Sequence, residues 1–311
     1  MKKLIALILT LSVILMLAVS CTPAEDNTKI TIGVLGGPTG MGMAKLMNDV
    51  GDESELYEFK LYSSPNDAIP DLSNGTLDML CLPTNTAATL STKQDISVIA
   101  INCLGSLYLM TDDSTEINSF ADLEGKTIYA SVPNSTTGPI INYLLEQNNV
   151  EANVVFEADH DALVAKVVKG EAPIVVLPEP KATAALTKNS NYSIDLNLSE
   201  EWDEVSDTPL TMGCIVARND LIDEHPLAVG RFLTDYKTSI EFIGASSNTS
   251  EAVDMIVAQG IIPAKQMASK ALVNLYGSIV YIDGAEMKSA LIAFYNAIGQ
   301  ALPDESVYYA K

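Results

Sequence analysis

The chain has 311 residues, a formal net charge of −22 and four cysteines. So acidic a balance excludes nucleic acid or an anionic bilayer as a partner held by charge, because such binding neutralises phosphates with Lys and Arg. The length suffices for one large or two medium domains. Beyond Cys21 an odd set of cysteines with no C-x-x-C excludes an evident disulfide framework or zinc knuckle.

Lys2 and Lys3 precede an apolar stretch from Leu4 to Val19 and then "LAVSC", ending at Cys21. Charged, apolar and small residues in that order predict an export signal over residues 1–20. The apolar run is shorter than the ~20 residues a spanning helix needs. "AVSC" resembles a bacterial lipobox with Cys21 as the acylated residue, although Ala18 stands where Leu is commoner. The alternative is an ordinary signal in which Cys21 is incidental. Residues 21–28, small, polar and acidic, suit a flexible tether.

In the mature chain "KITIGVL", "DMLCLP", "ISVIAINCLGSLYLM", "KTIYASV", "NVVFEA", "PIVVLP" and "MGCIVAR" read as buried strands. Helix-period segments such as "GPIINYLLEQN" and "HDALVAKVVKG" alternate with them, which predicts an α/β fold with mainly parallel sheets. After Asp220 the pattern turns helical, each segment opening on a capping-type residue or Pro and several stopping at Gly. Cys81, Cys103 and Cys214 lie in apolar contexts and read as small buried hydrophobes. His160 and His225 stand alone, without a second histidine at metal-ligand spacing.

Two units recur in the same order. "TGMGMAKL" from Thr39 matches "TGPIINYL" from Thr137, and "DAIPDLSNGTLDMLCLP" from Asp67 matches "DALVAKVVKGEAPIVVLP" from Asp161. The separations are nearly constant, so two lobes of shared architecture are expected. Parallel α/β sheets bind ligands outside the carboxyl ends of their strands, where loops feed helix starts. Each lobe then offers two loops to one cleft: Gly36–Gly42 and Pro83–Thr86 from the first, Pro133–Gly138 and Pro178–Pro180 from the second.

The first loop, "GGPTGMG", fails both nucleotide patterns. It has no G-x-G-x-x-G, and Met43 and Ala44 stand where a P-loop carries Lys and Ser or Thr. What remains is glycine without a Cβ at a helix start, where amides can donate to an oxygen. Thr39 either caps that helix or faces a ligand. Thr84, Asn85 and Thr86 precede an alanine-rich helix start, and capping occupies only one of them. Asn134, Ser135, Thr136 and Thr137 repeat the arrangement. Glu179, between two prolines, is either a turn carboxylate or an acceptor for an amine or ring N–H. Met41 and Met43 are either core or a soft pocket wall. No G-x-S-x-G, no H-E-x-x-H and no histidine near a strand-end nucleophile occurs, so no catalytic residue, metal or cofactor is expected.

The lipobox, "KITIGVLGGPTGMGMAKLM", "NGTLDMLCLPTNTAATL", "IAINCLGSLYLMTDD", "SFADLEGKTIYASVPNSTTG" and "GCIVARNDLIDEHPLAVGRFL" together resemble a bacterial ABC-transporter solute-binding protein. The similarity is to the nitrate/sulfonate/taurine-type family, which includes binders of thiamine-pyrimidine precursors. It implies a two-lobe periplasmic-binding-protein-like fold of type II, with each lobe a mainly parallel sheet flanked by helices. Two β-strand crossovers, near Asn102–Leu107 and Leu210–Val216, would join a discontinuous first lobe (29–105 and 213–311) to a second (106–212). Matching the family's ligand loops points to Gly37, Thr39, Gly40, Met41, Thr84, Asn85, Asn134, Ser135, Thr136 and Glu179. None of these loops contains Arg or Lys, so a sulfonate or nitrate would rest on helix starts and hydroxyls. That lack, with Glu179, favours a small polar organic solute such as a zwitterion or heterocycle.

The function implied is that of a monomeric, lipid-anchored, extracytoplasmic receptor. It delivers its solute to a permease driven by a cytoplasmic ATPase. Two alternatives stand beside it: an enzyme on the same fold related to thiamine-pyrimidine synthesis, and a receptor for a tripartite transporter or a sensor.

Overall fold

The computed structural model describes residues 26–131 and 136–309. The expected signal, Cys21, most of the tether, Asn134 and Ser135 lie outside the described residues. No helix among the described residues is long and apolar enough to cross a membrane.

The chain first lays down β1 (Ile30–Leu35), α1 (Pro38–Met41), α2 (Ala44–Val50), β2 (Tyr57–Tyr62), α3 (Pro65–Ser73), β3 (Met79–Pro83), α4 (Thr84–Ser91) and β4 (Ile96–Leu104). It continues through β5 (Leu107–Asp112), β6 (Thr127–Ser131), α5 (Thr137–Gln147), β7 (Asn153–Glu157), α6 (His160–Lys169), β8 (Ile174–Pro178), α7 (Lys181–Lys188), β9 (Tyr192–Asn197) and α8 (Leu198–Asp203). It closes with β10 (Thr211–Arg218), α9 (Asn219–Glu224), α10 (Pro226–Gly244), α11 (Thr249–Ala258), α12 (Lys265–Asn274), β11 (Ile279–Ile282) and α13 (Gly284–Ala297).

Two sheets result, ordered β11-β4-β10-β3-β1-β2 and β7-β6-β8-β5-β9. In the first, β1 to β4 share a direction and β10 and β11 oppose them. In the second, β6 to β9 share a direction and only β5 opposes them. The prevailing parallel sense places the strand ends of each lobe, with their helix starts, along one edge. The opposing strands β5 and β10 are those entered from the other sheet: the chain passes from β4 to β5 at Gly105–Ser106 and returns between α8 and β10.

The central strands are buried on both faces, as near-continuous apolar runs require when helices cover both sides, whereas the edge strands β2, β7 and β11 are partly exposed. Ile30, Ile32 and Val34 of β1 and Leu80, Cys81 and Leu82 of β3 are fully enclosed. One apolar cluster takes in Leu80 and Val98 of the first sheet, Leu109, Ile128 and Val176 of the second, and Trp202 and Phe294 beside them. Trp202, on α8, is completely buried. Its ring centroid lies 4.7 Å from that of Tyr143 on α5 and 5.7 Å from that of Phe294 on α13. Its indole N–H donates to the Thr208 carbonyl at 2.7 Å. The core is therefore continuous where the chain crosses between sheets, and Trp202 is its largest shared side chain.

At the amino-terminal edge the Thr28 hydroxyl meets His225 Nδ1 at 2.9 Å, and Arg231 donates to the Thr28 carbonyl at 2.9 Å. His225 thus holds the beginning of the described chain against the start of α10. Replacing Trp202 by alanine should cost about 3–5 kcal/mol, the usual loss for a buried aromatic in a tight core. Denaturant unfolding measures it; a loss below about 1 kcal/mol would show that the two lobes do not share this core.

Candidate functional site

Six strand-to-helix loops of the two lobes converge on one cavity of about 490 Å³. From the first lobe come Gly36, Pro38 and Thr39 after β1, Ser63, Pro65 and Asn66 after β2, and Pro83, Asn85 and Thr86 after β3. From the second come His160 after β7, and Glu179, Pro180 and Lys181 after β8, with Thr136 and Thr137 at the start of α5. Cys103, Ser106 and Met212, next to the two crossings, form its floor. Each loop leads into a helix, so the cavity faces helix N-termini, whose first amides lack intrahelical acceptors and carry partial positive charge.

At several of these helix starts the N-cap residue itself makes no side-chain capping bond among the described residues. The N-cap residues of α4 and α7 are Pro83 and Pro180, which have no side-chain oxygen, and Thr136 makes no capping bond to α5. In contrast, Asp159 caps α6 through the Ala162 amide at 2.7 Å.

The loop residues expected from sequence divide by what they touch. Thr39, Asn85, Thr136 and Glu179 line the cavity. The Thr39 carbonyl accepts from the Asn102 side chain on β4 at 3.0 Å, which ties this loop to the strand that leaves the first lobe. Gly37 sits at the rim with φ 102°, and a Cβ there would stand 3.3 Å from Pro180 Cδ of the opposite lobe. A side chain would be strained by the backbone and crowded by the facing loop.

Gly37 is not among the cavity-lining residues, and neither are three further expected residues. A Cβ on Gly40 would fall 1.9 Å from the Leu35 carbonyl oxygen, so this glycine serves the close packing of α1 on β1. Met41 is fully buried in the first lobe's core with Met43, as an unbranched apolar chain at that helical phase favours. Thr84 is also fully buried; its hydroxyl donates to the Thr211 carbonyl at 2.8 Å, and its carbonyl accepts from Tyr295 at 2.9 Å.

Glu179 is only 3 % exposed. Its carboxylate accepts from the Thr183 hydroxyl at 2.9 Å, the Thr183 amide at 3.3 Å and the Asn274 side chain at 2.6 Å. Burial raises its pKa, and those three donors oppose the rise. It caps α7 from within and spans to α12, so its charge is already engaged inside the protein.

Reading the sequence missed the loop after β2 with Ser63 and Asn66, Ser106 at the crossing, and two groups that can carry positive charge. Lys181, the first residue of α7, is the one Lys or Arg among the lining residues. The expected loops themselves contain no Arg or Lys, but Lys181 follows Pro180 directly and brings a cation to the cavity. Its ammonium pairs with exposed Asp161 at 2.5 Å, which holds that carboxyl below its usual range. His160 contacts the buried Ser131 hydroxyl through Nδ1. Its pKa is lowered, first by burial and then by the Lys181 charge. The repeat carried a signal for it: His160 stands before Asp161-Ala162 as Asn66 stands before Asp67-Ala68, and both line the cavity. Among the described residues no group of three His, Cys, Asp or Glu is placed to hold a metal ion.

A family model for the periplasmic substrate-binding protein of phosphonate ABC transporters matches residues 42–268. None of the curated proteins matches the chain. Among solved structures, an ABC transporter protein from Parabacteroides distasonis is similar at TM-score 0.75 and 20% identity, over 92% of this chain and 100% of that one. The ligand-binding component of an ABC-type import system from Staphylococcus aureus, with zinc bound, gives 0.71 and 15% over 91% and 97%. The periplasmic aliphatic sulphonate binding protein SsuA from Escherichia coli gives 0.71 and 13% over 92% of each chain. At such identities the likeness is one of fold, two α/β lobes about a cleft. With most of its length matched by the family model, the chain belongs to the periplasmic substrate-binding proteins of phosphonate ABC transporters and is the substrate-binding component of an ABC importer.

Proposed function

We propose that the solute is a small organic oxyanion of the phosphonate or sulfonate class, held between the lobes with its oxygens toward the starts of α4 and α5. The observation that carries this is the meeting of helix N-termini from both lobes at one cavity beside Lys181. Helix starts are ready anion sites, and a cation makes such bonds shorter and stronger. Both reasons for expecting a zwitterion or heterocycle change: a lysine is present, and Glu179 is occupied by Thr183 and Asn274. With a net charge of −22 the protein offers no long-range attraction, so selection falls to local donors.

Solute contacts are assigned to Thr39, Asn85, Thr86, Thr136, His160 and Lys181, with Gly37 shaping the rim and Gly40, Met41 and Thr84 supporting the loops. Asn134 and Ser135 belong to the same set by their place before α5. The lobes are assigned as 29–105 with 213–311, and 106–212, a division whose second break falls within β10. The protein works as a monomeric binder rather than a catalyst: the Ser131 hydroxyl beside His160 is fully buried and presents no nucleophile to the cavity. Residues 1–20 direct export, Cys21 carries the lipid, and the solute passes to a permease coupled to a cytoplasmic ATPase.

Methylphosphonate or methanesulfonate at saturation should raise the melting temperature by roughly 5 °C, and K181A should weaken binding about ten-fold. Stabilisation by amines or thiamine-type heterocycles, with none by the oxyanions, would overturn the solute class. The lowered pKa of His160 adds a pH signature: the unfolded chain takes up the proton first, so stability drops as pH falls below about 6.5 and levels off below the folded pKa. The stability difference between H160Q and wild type should therefore move in favour of H160Q between pH 7.5 and pH 5. Parallel pH profiles in denaturant unfolding would contradict a buried neutral imidazole. C21S should release the protein from membranes into the soluble fraction; retention would rule out the anchor.

A further inference from the structure

The lobes also meet outside the cavity, at Asn274, the last residue of α12. The Asn274 side-chain amide donates to Glu179 Oε1 at 2.6 Å, and its backbone carbonyl accepts from the Tyr108 hydroxyl. Asn274 belongs to the carboxy-terminal helices, of which α10 and α11 pack on α2 of the first lobe. Glu179 and Tyr108 belong to the second sheet, after β8 and on β5. One residue of the first lobe thus bonds two residues of the second.

The chemistry makes both bonds sensitive to the lobe arrangement. A carbonyl at a helix end has no acceptor role inside its own helix, so Tyr108 satisfies a group that would otherwise need water. Glu179 and Tyr108 are 3 % and 4 % exposed, and polar groups so enclosed lose heavily when a partner leaves without replacement. Glu179 stands between Pro178 and Pro180, both of which line the cavity, and Pro180 faces Gly37 across the rim. Asn274 itself does not line the cavity; it borders a separate groove with Thr183, Lys270 and Val273.

We propose that Asn274 is a closure latch, a positioning residue that binds Glu179 and Tyr108 of the opposite lobe only when the cleft is shut. It therefore sets solute affinity without touching the solute. It rests on the reading that the cleft closes about a small molecule. Affinity scales with the fraction of protein in the competent, closed arrangement, so removing the latch weakens binding through that fraction.

The test compares wild type, N274A and Y108F, each with one nitroxide on each lobe at exposed Ser73 and Glu146. Electron-spin distance measurements, with and without methylphosphonate, give the closed fraction. The latch predicts a smaller short-distance fraction in N274A than in wild type and a roughly ten-fold weaker methylphosphonate Kd. Y108F should shift both the same way by less, and it decides the matter if N274A does not fold. Equal fractions in wild type and variants, zero included, would overturn the latch. If methylphosphonate does not bind the wild type, the solute class falls while the distance comparison still decides the latch.

Discussion

The first amides of an α-helix cannot be satisfied from within the helix, and this protein gathers several such starts at one cleft. At several of them the N-cap residue itself makes no bond back to its helix among the described residues. Pro83 and Pro180 occupy N-cap positions of α4 and α7, where Ser, Thr, Asp or Asn would bond back to the helix. Other helix starts at the cavity are capped from within the protein: Asp159 takes the Ala162 amide of α6, and Glu179 the Thr183 amide of α7. An oxyanion placed between the lobes, as proposed above, would accept from these first amides, so that ligand capture and helix capping would be the same event. Parallel strand order makes this possible, because it brings every helix start of a lobe to one edge.

The second requirement is that two such edges face each other and can separate. The chain meets it by crossing twice between sheets, with Ser106 and Met212 beside the crossings and on the cavity floor. Trp202 joins the two cores there. Farther out the lobes touch through polar groups and a bare glycine: Gly37 against Pro180, and Asn274 with Glu179 and Tyr108. An apolar hinge with a rim of specific polar contacts makes the lobe arrangement depend on which partners those enclosed groups find.

Much of this was legible from residue order. The alternation of buried strands and helix-period segments specified two α/β lobes, and the Asp-Ala to Leu-Pro repeat placed β3 with α4 and β8 with α7 in equivalent positions. That repeat also held more than was taken from it, since Asn66 and His160 precede its Asp-Ala pair in both copies. What was not legible concerns direction rather than position. Glycine-rich loops do not reveal which residue turns outward, and Gly40 and Met41 turn inward onto β1 and the core while Thr39 faces the cavity. Glu179 stands in the expected loop, yet its carboxylate is taken by Thr183 and by Asn274, a residue distant in sequence. Local patterns carry no information about such a partner. Lys181 was hidden for a simpler reason: a lysine in the first turn of an amphipathic helix reads as solvated.

The account stands on helix-start amides receiving the solute's oxygens. Amide hydrogen exchange with and without methylphosphonate measures that contact most directly. Slowed exchange concentrated in the first turns of α4 and α5, one from each lobe, is the result predicted. Tight binding of methylphosphonate with exchange unchanged at both helix starts would contradict it.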